Sequence, residues 1–313
     1  MVHATVISRR LAILGAAALP AAATDMSPLG VDDVIRVIGR SDGGIAVRWT
    51  DGVLYARIDA ATTPLFRVLS QIFSRHRKTA AGGFETVLIE IVYFADPVSG
   101  AVLESWRNPF TGETIAVAKT TLGPTRFTIE PSLVVTREAM PGGPAPDHRL
   151  EIERMDGDDI WITDRQSIVA PPMVAGAPPF GFFEAFTYRA SRRDLADVTR
   201  AHVQTEVQKV NMLGARPWMQ MGNRPGVTVT RGFGRVIDDP ALLPADLQAL
   251  NQAHNREVIG DLDDYLAWGG RRDNVPEAIG SAQSTLSSRA RANRGRAKSM
   301  KARTFDANIR PCG

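Results

Sequence analysis

From Ile45 to Thr136 apolar and polar residues alternate, and turn-forming residues interrupt the alternation at hairpin spacing. Successive side chains of an extended strand point to opposite faces, so a period of two broken by such turns predicts a run of antiparallel strands. Ile45, Val47 and Trp49 share one face, and Asp51-Gly52 is expected to turn the chain into a strand from Val53 to Ile58. Further strands are expected over Thr86–Phe94, Ala101–Arg107, Glu113–Thr121 and Arg126–Thr136. A second set covers Leu150–Met155, Asp159–Ile168 after the Asp156-Gly157 turn, and Phe182–Ala190. Strands do not alternate with helices, so the fold class is mainly β. A closed or strongly curved, lipocalin-like barrel with a few short helices is the economical way to hide the edges of such a sheet.

Helical signals are few. Ser191-Arg192-Arg193-Asp194 opens a short helix with a capping serine, and Leu243-Pro244 leads into another through Leu250. Val203-Thr205-Val207 fits a strand and Val203-Val207-Val210 a helix; the strand is preferred. Ser70 to Lys78 is read as a short helix or an irregular crossing. Gly142 to Pro146 and Pro171 to Pro179 read as loops at strand ends, of the kind that rim a barrel mouth.

Residues 1–23 have the layout of a removable signal peptide: Ser8-Arg9-Arg10, the apolar run Leu11 to Leu19, then Ala21-Ala22-Ala23. The arginine pair is similar to a twin-arginine export motif, with alanine where an aromatic or leucine is usual. The run is shorter than the ~20 residues a spanning helix needs, and no later stretch is long enough, so an exported, periplasmic or secreted protein without an integral membrane segment is expected. Cys312 is the one cysteine, so stability is left to a core, which 44% apolar composition supports. Residues 24–279 are read as one domain. From Gly280 onward eight basic residues face one acid, while the whole chain is +3; this tail is read as disordered rather than as a nucleic-acid-binding arm.

Asp96-Pro97-Val98-Ser99-Gly100 and Asn108-Pro109-Phe110-Thr111-Gly112 are turns in which proline presets φ and glycine accepts a positive one. The block Tyr93–Thr114 that contains them, with Pro217-Trp218-Met219-Gln220-Met221-Gly222-Asn223-Arg224-Pro225-Gly226, resembles an exported bacterial family catalogued as domain of unknown function 1838, over roughly residues 30–260. That resemblance implies no chemistry and transfers no site residue.

No phosphate-binding loop, nucleophile elbow or dinucleotide fingerprint is present, and His76, His148, His202 and His254 lack the spacing of a zinc motif. No cofactor is therefore expected. Candidate catalytic residues are polar groups on apolar strand faces. Glu90 shares a face with Leu88, Val92 and Phe94, and Glu184 with Phe182, Phe186 and Tyr188. Desolvation raises a carboxyl pKa and suits it to acid or base work; the structural alternatives are an edge position where Glu90 reaches water or pairs with an arginine, and an aromatic core layer with Glu184 snorkelling or paired. Arg107 is expected either to meet a buried carboxyl, Glu113 or an anionic ligand, or to cap the turn as a structural residue. Tyr55 and Arg57 form a possible phenol–guanidinium pair, while Trp106, Trp218, Met219 and Met221 either line an apolar pocket or plug one barrel end. These features suit a cofactor-independent lyase, isomerase or hydrolase acting on a small hydrophobic, aromatic or terpenoid molecule; the alternative is a carrier or sensor barrel.

Overall fold

The computed structural model describes residues 29–58, 61–118, 120–137, 148–170, 180–221 and 226–269. The expected leader, the Gly142–Pro146 and Pro171–Pro179 loops and the basic tail lie outside these residues. The strands are β1 (Ala46–Ile58), β2 (Ala61–Lys78), β3 (Phe84–Ala95), β4 (Ser105–Arg107), β5 (Thr114–Ala116), β6 (Thr120–Ile129), β7 (Val134–Arg137), β8 (His148–Asp156), β9 (Asp159–Ala170), β10 (Phe180–Ser191), β11 (Thr205–Leu213) and β12 (Gly226–Ile237). The helices are α1 (Val31–Ile38), α2 (Arg192–Ala196), α3 (Ala245–His254), α4 (Arg256–Gly260) and α5 (Leu262–Tyr265).

Ten strands form one large, curved antiparallel sheet in the order β1-β12-β11-β10-β9-β8-β7-β6-β3-β2, and β2 pairs back onto β1, closing the barrel. Each of the ten strands thus has a neighbour on both sides, the shortest contact being the two residue pairs between β7 and β8. The β4–β5 ribbon is a separate two-stranded sheet. The preference for a strand after Val203 holds as β11, and the Asp156-Gly157 turn is present with Gly157 at φ 59°. The expected short helices form as α2, where Ser191 Oγ accepts from the Asp194 N–H, and as α3 after Pro244.

Other expectations are corrected. Asp51-Gly52 does not turn: it lies within the continuous β1, where Gly52 pairs with Gly232. An added Cβ at Gly52 would strike the Arg231 carbonyl oxygen, and one at Gly234 the Trp49 carbonyl oxygen. The glycines therefore mark the close backbone approach of β1 and β12 at the seam that closes the ring. Ser70–Lys78 is strand, not helix. Its alternation was hidden because β2 is covered on both faces, inside by the barrel and outside by α3–α5, which pack on Val47, Leu69, Phe73, Ile89 and Ile91. Arg126–Thr136 splits into β6 and β7. Helix α1, unforeseen in the sequence, buries Val34, Ile35 and Val37 with Ala46, Phe84, Ile160, Tyr188 and Val236, closing one end of the barrel as a floor.

Replacing Gly234 with alanine is expected to lower stability by about 1–3 kcal/mol through overpacking, seen as a lower urea midpoint. An unchanged or higher midpoint would show that the seam has room for a side chain.

Candidate functional site

Alternation carries one face of every strand into the barrel. On β3 that face holds Thr86, Leu88, Glu90, Val92 and Phe94; on β10 it holds Phe182, Glu184, Phe186 and Tyr188; on β11 it holds Thr205, Val207, Lys209, Asn211 and Leu213. The two carboxylates singled out from the sequence thus meet inside the barrel, at a cation the sequence reading missed. Lys209 Nζ lies 3.1 Å from Glu90 Oε1 and 3.3 Å from Glu184 Oε1. Ser70 Oγ donates to Glu90 at 3.0 Å, and Asn211 Nδ2 to Glu184 at 3.2 Å. Only 8% of the Lys209 side-chain surface is accessible.

Burial alone would raise the Glu90 pKa, but the Lys209 ammonium and the hydrogen bonds from Lys209 and Ser70 outweigh it and hold the carboxyl below its usual 4.5. The same balance, with Glu90 and Glu184 outweighing burial, raises Lys209 above its usual 10.5. The expectation that desolvation would poise Glu90 near neutrality is therefore corrected: it is an ion-paired carboxylate. Because buried charges are costly unless paired and hydrogen-bonded, this belt is satisfied largely from within.

A second group lies beside it. Arg48 stacks over Phe186, with its guanidinium carbon 3.6 Å from the ring centroid, and donates to the Tyr188 hydroxyl. His148 Nε2 and Asp164 Oδ1 are 2.7 Å apart, with 11% and 18% of their side-chain surfaces accessible. Burial opposes ionisation of Asp164, but His148, Arg48 and Arg137 hold its carboxyl below the usual range. His76 is buried and hydrogen-bonds to Thr86 Oγ1 at 2.8 Å. Desolvation, with the Arg48 charge, lowers its pKa to about 3, so its ring is neutral.

Toward the barrel end opposite α1, the β1–β3 wall is filled. Leu54, Ala56, Phe66, Val68 and Phe94 pack against Trp106, Ile115, Met219, Met221 and Trp218. Phe66 lies 4.9 Å from Trp106 and 5.7 Å from Trp218, centroid to centroid. Asn108 locks the arrangement: its Oδ1 accepts from Phe110 N to make the turn, and its Nδ2 donates to the Met219 carbonyl at 2.9 Å. Of the two expected roles for the Trp218–Met221 segment, the structure shows the plug on this side. The β9–β10 side is more open. Gln166, Ile168, Phe182 and Glu184 are half-buried there, although they share the inward face with buried Ile162 and Tyr188.

Three expected site residues stand apart. Arg107 is exposed on β4, outside the barrel, and meets neither carboxylate; Glu113 is exposed as well. Tyr55 and Arg57 occupy the outer face of β1, since Leu54, Ala56 and Ile58 take the inner one. Their parity was legible in the sequence, but which parity faces inward depends on the sheet. Among the described residues, no three His, Cys, Asp or Glu side chains converge as a metal site, and no helix is long and apolar enough to cross a membrane.

Lys209→Met is expected to cost about 3–5 kcal/mol near neutral pH, because two carboxylates lose their cation. The wild-type contribution of Glu90 is present above its unfolded value of 4.5 and is lost as pH falls through its lower folded value. The gap between wild type and variant should therefore narrow in acid. Urea titrations at several pH values check this, and equal stabilities at pH 7 would contradict it.

Comparison with curated proteins and with solved structures gives no match. The match to a family model begins just before β1, takes in the Tyr93–Thr114 turns and ends before β8, leaving the Trp218 segment outside. Residues 44–147 match the model of the family described as protein of unknown function (DUF1838).

Proposed function

We propose that the protein is a small-molecule barrel, enclosing a ligand of largely apolar body between the aromatic plug and the charged belt, in the manner of a lipocalin-like carrier or sensor. The observation that carries this reading is the internal satisfaction of the belt. Glu90 and Glu184 share Lys209 and take further hydrogen bonds from Ser70 and Asn211, so their oxygens are engaged within the protein and they shape and polarise the interior. Half-buried Phe182 and Trp218 offer aromatic surface for such a body. The leader expected at residues 1–23 would deliver the barrel outside the cytoplasm.

A second reading, a cofactor-independent lyase, isomerase or hydrolase, is favoured by one observation. Asp164 lies 2.7 Å from His148 Nε2, a carboxylate-oriented imidazole of the kind that serves general acid–base catalysis. In that case the proton-moving group is His148 and not Glu90 or Glu184.

The experiment is to incubate the purified protein and His148→Gln with an organic-soluble extract of the producing cells, followed by native and untargeted mass spectrometry. The carrier reading expects the same compounds retained unchanged by both proteins. A compound consumed by wild type and spared by the variant would replace it with the enzyme reading. If nothing is retained or consumed, the small-molecule reading fails.

A further inference from the structure

The wall of the barrel forks at one place. The β3–β6 ladder ends where Val92 pairs with Thr120, and from there β3 takes a different neighbour: Leu103 N donates to the Phe94 carbonyl, and Ala95 bridges to Val102. Between the two prongs, beside His254 and Asn255 at the end of α3, lies a cavity of about 150 Å³. Val92, Val102, Leu103, Val117 and Ala118 give it a largely apolar lining. Hydrogen bonds brace its walls. Val117 N donates to the Glu104 carbonyl at 2.9 Å, Asn255 Nδ2 to the Tyr93 hydroxyl at 2.7 Å, and Thr121 Oγ1 to Asn255 Oδ1 at 3.2 Å. A space held open in this way is preformed, and its neighbours cannot relax into it as they would into a packing defect.

The polar groups around the cavity fall into two sets. Tyr93, Thr121 and Asn255 are committed to one another, and Tyr93 also donates to Asn251 Oδ1 at 2.9 Å. His254 and Thr120 are not committed: among the described residues, neither ring nitrogen of His254 nor the Thr120 hydroxyl has a hydrogen-bond partner. His254 lies against the Tyr93 ring, 6.0 Å between centroids. His254 and Glu104 are exposed, which places them at the mouth. Glu104 is the one carboxylate, and no lysine or arginine stands among the described lining residues, so an anion entering here would meet like charge and no cation.

An apolar cavity of this volume accepts a molecule of about the size of benzene. We propose that the fork is a second ligand site, separate from the interior one, and that it takes a neutral single-ring aromatic molecule carrying a hydroxyl group. The ring lies among Val102, Leu103 and Val117, and the hydroxyl bonds to His254 at the mouth. A hydroxyl both donates and accepts, so it matches an imidazole nitrogen whichever tautomer is present.

The test titrates the full chain with benzyl alcohol, toluene, benzoate and benzylammonium, followed by the backbone amide signals in nuclear magnetic resonance. Benzyl alcohol should move the amides of Val102, Thr120 and Asn255 saturably, and bind about threefold or more tightly than toluene, the scale of one hydrogen bond. His254→Leu removes an exposed side chain; it should reduce the alcohol to the affinity of toluene while leaving toluene within about twofold, which also shows that the variant is folded. Ala118→Trp, which fills the cavity from its lining, should abolish binding of both. Absence of binding, or shifts confined to residues away from the fork, would overturn the site. Benzoate or benzylammonium binding more tightly than benzyl alcohol would overturn the neutral assignment. Equal affinities for alcohol and toluene, or an alcohol preference unchanged in His254→Leu, would overturn the role of His254.

Discussion

The ammonium of Lys209, shared by Glu90 and Glu184, is the interaction on which the interior depends. Lys209 stands on β11 and Glu90 on β3, four strands away around the ring, so their contact is a strut across the barrel and not a neighbour-to-neighbour pair. Glu184 sits on the adjoining β10, where it pairs in register with Asn211. A slip of one residue in either strand would turn Lys209 or Glu184 to the outer face and strand the remaining charges in the core. The belt therefore fixes register as well as charge, which an all-apolar interior would specify less sharply.

Around the strut the barrel is divided by chemistry. Helix α1 supplies an apolar floor, the charged belt crosses the middle, and an aromatic and methionine plug fills one side of the other end. The β4–β5 ribbon stands outside the sheet, yet Asn108 ties it to the segment carrying Met219 and Met221. The two motifs that stood out in the sequence, more than a hundred residues apart, form one piece of structure through that side chain. Helices α3–α5 cover the outside of β1–β3 and are seated there by Gln71, Tyr93, Asn251 and Asn255, whose amide and phenol groups bond to one another at 2.7–3.0 Å.

Much of the sheet was legible because period two survives wherever one face of a strand meets solvent, as on β8 to β10. It failed on β2, whose two covered faces erase the alternation, and at Asp51-Gly52, where a turn pair serves close backbone approach instead. Glu90 and Glu184 were legible as carboxylates among apolar neighbours, as were Phe186 and Tyr188 beside them. Their environment was not: a lone lysine on a strand such as β11 reads as a solvent-facing residue, and nothing local says that it will meet two acids from other strands. Arg107 misled because its alternation with Trp106 was sound while its sheet was not the barrel. Arg48 and Arg137 carry no local signal, since the interior they share with Asp164 is created by closure.

The most direct test of this account is the carboxyl titration of Glu90, followed by the ¹³C shift of its side chain in the folded protein. A carboxylate locked to Lys209 and Ser70 stays ionised until the pH is below the ordinary value of 4.5. A Glu90 that takes up its proton above that value would show a carboxyl desolvated without its cation, and the cross-barrel strut would not exist.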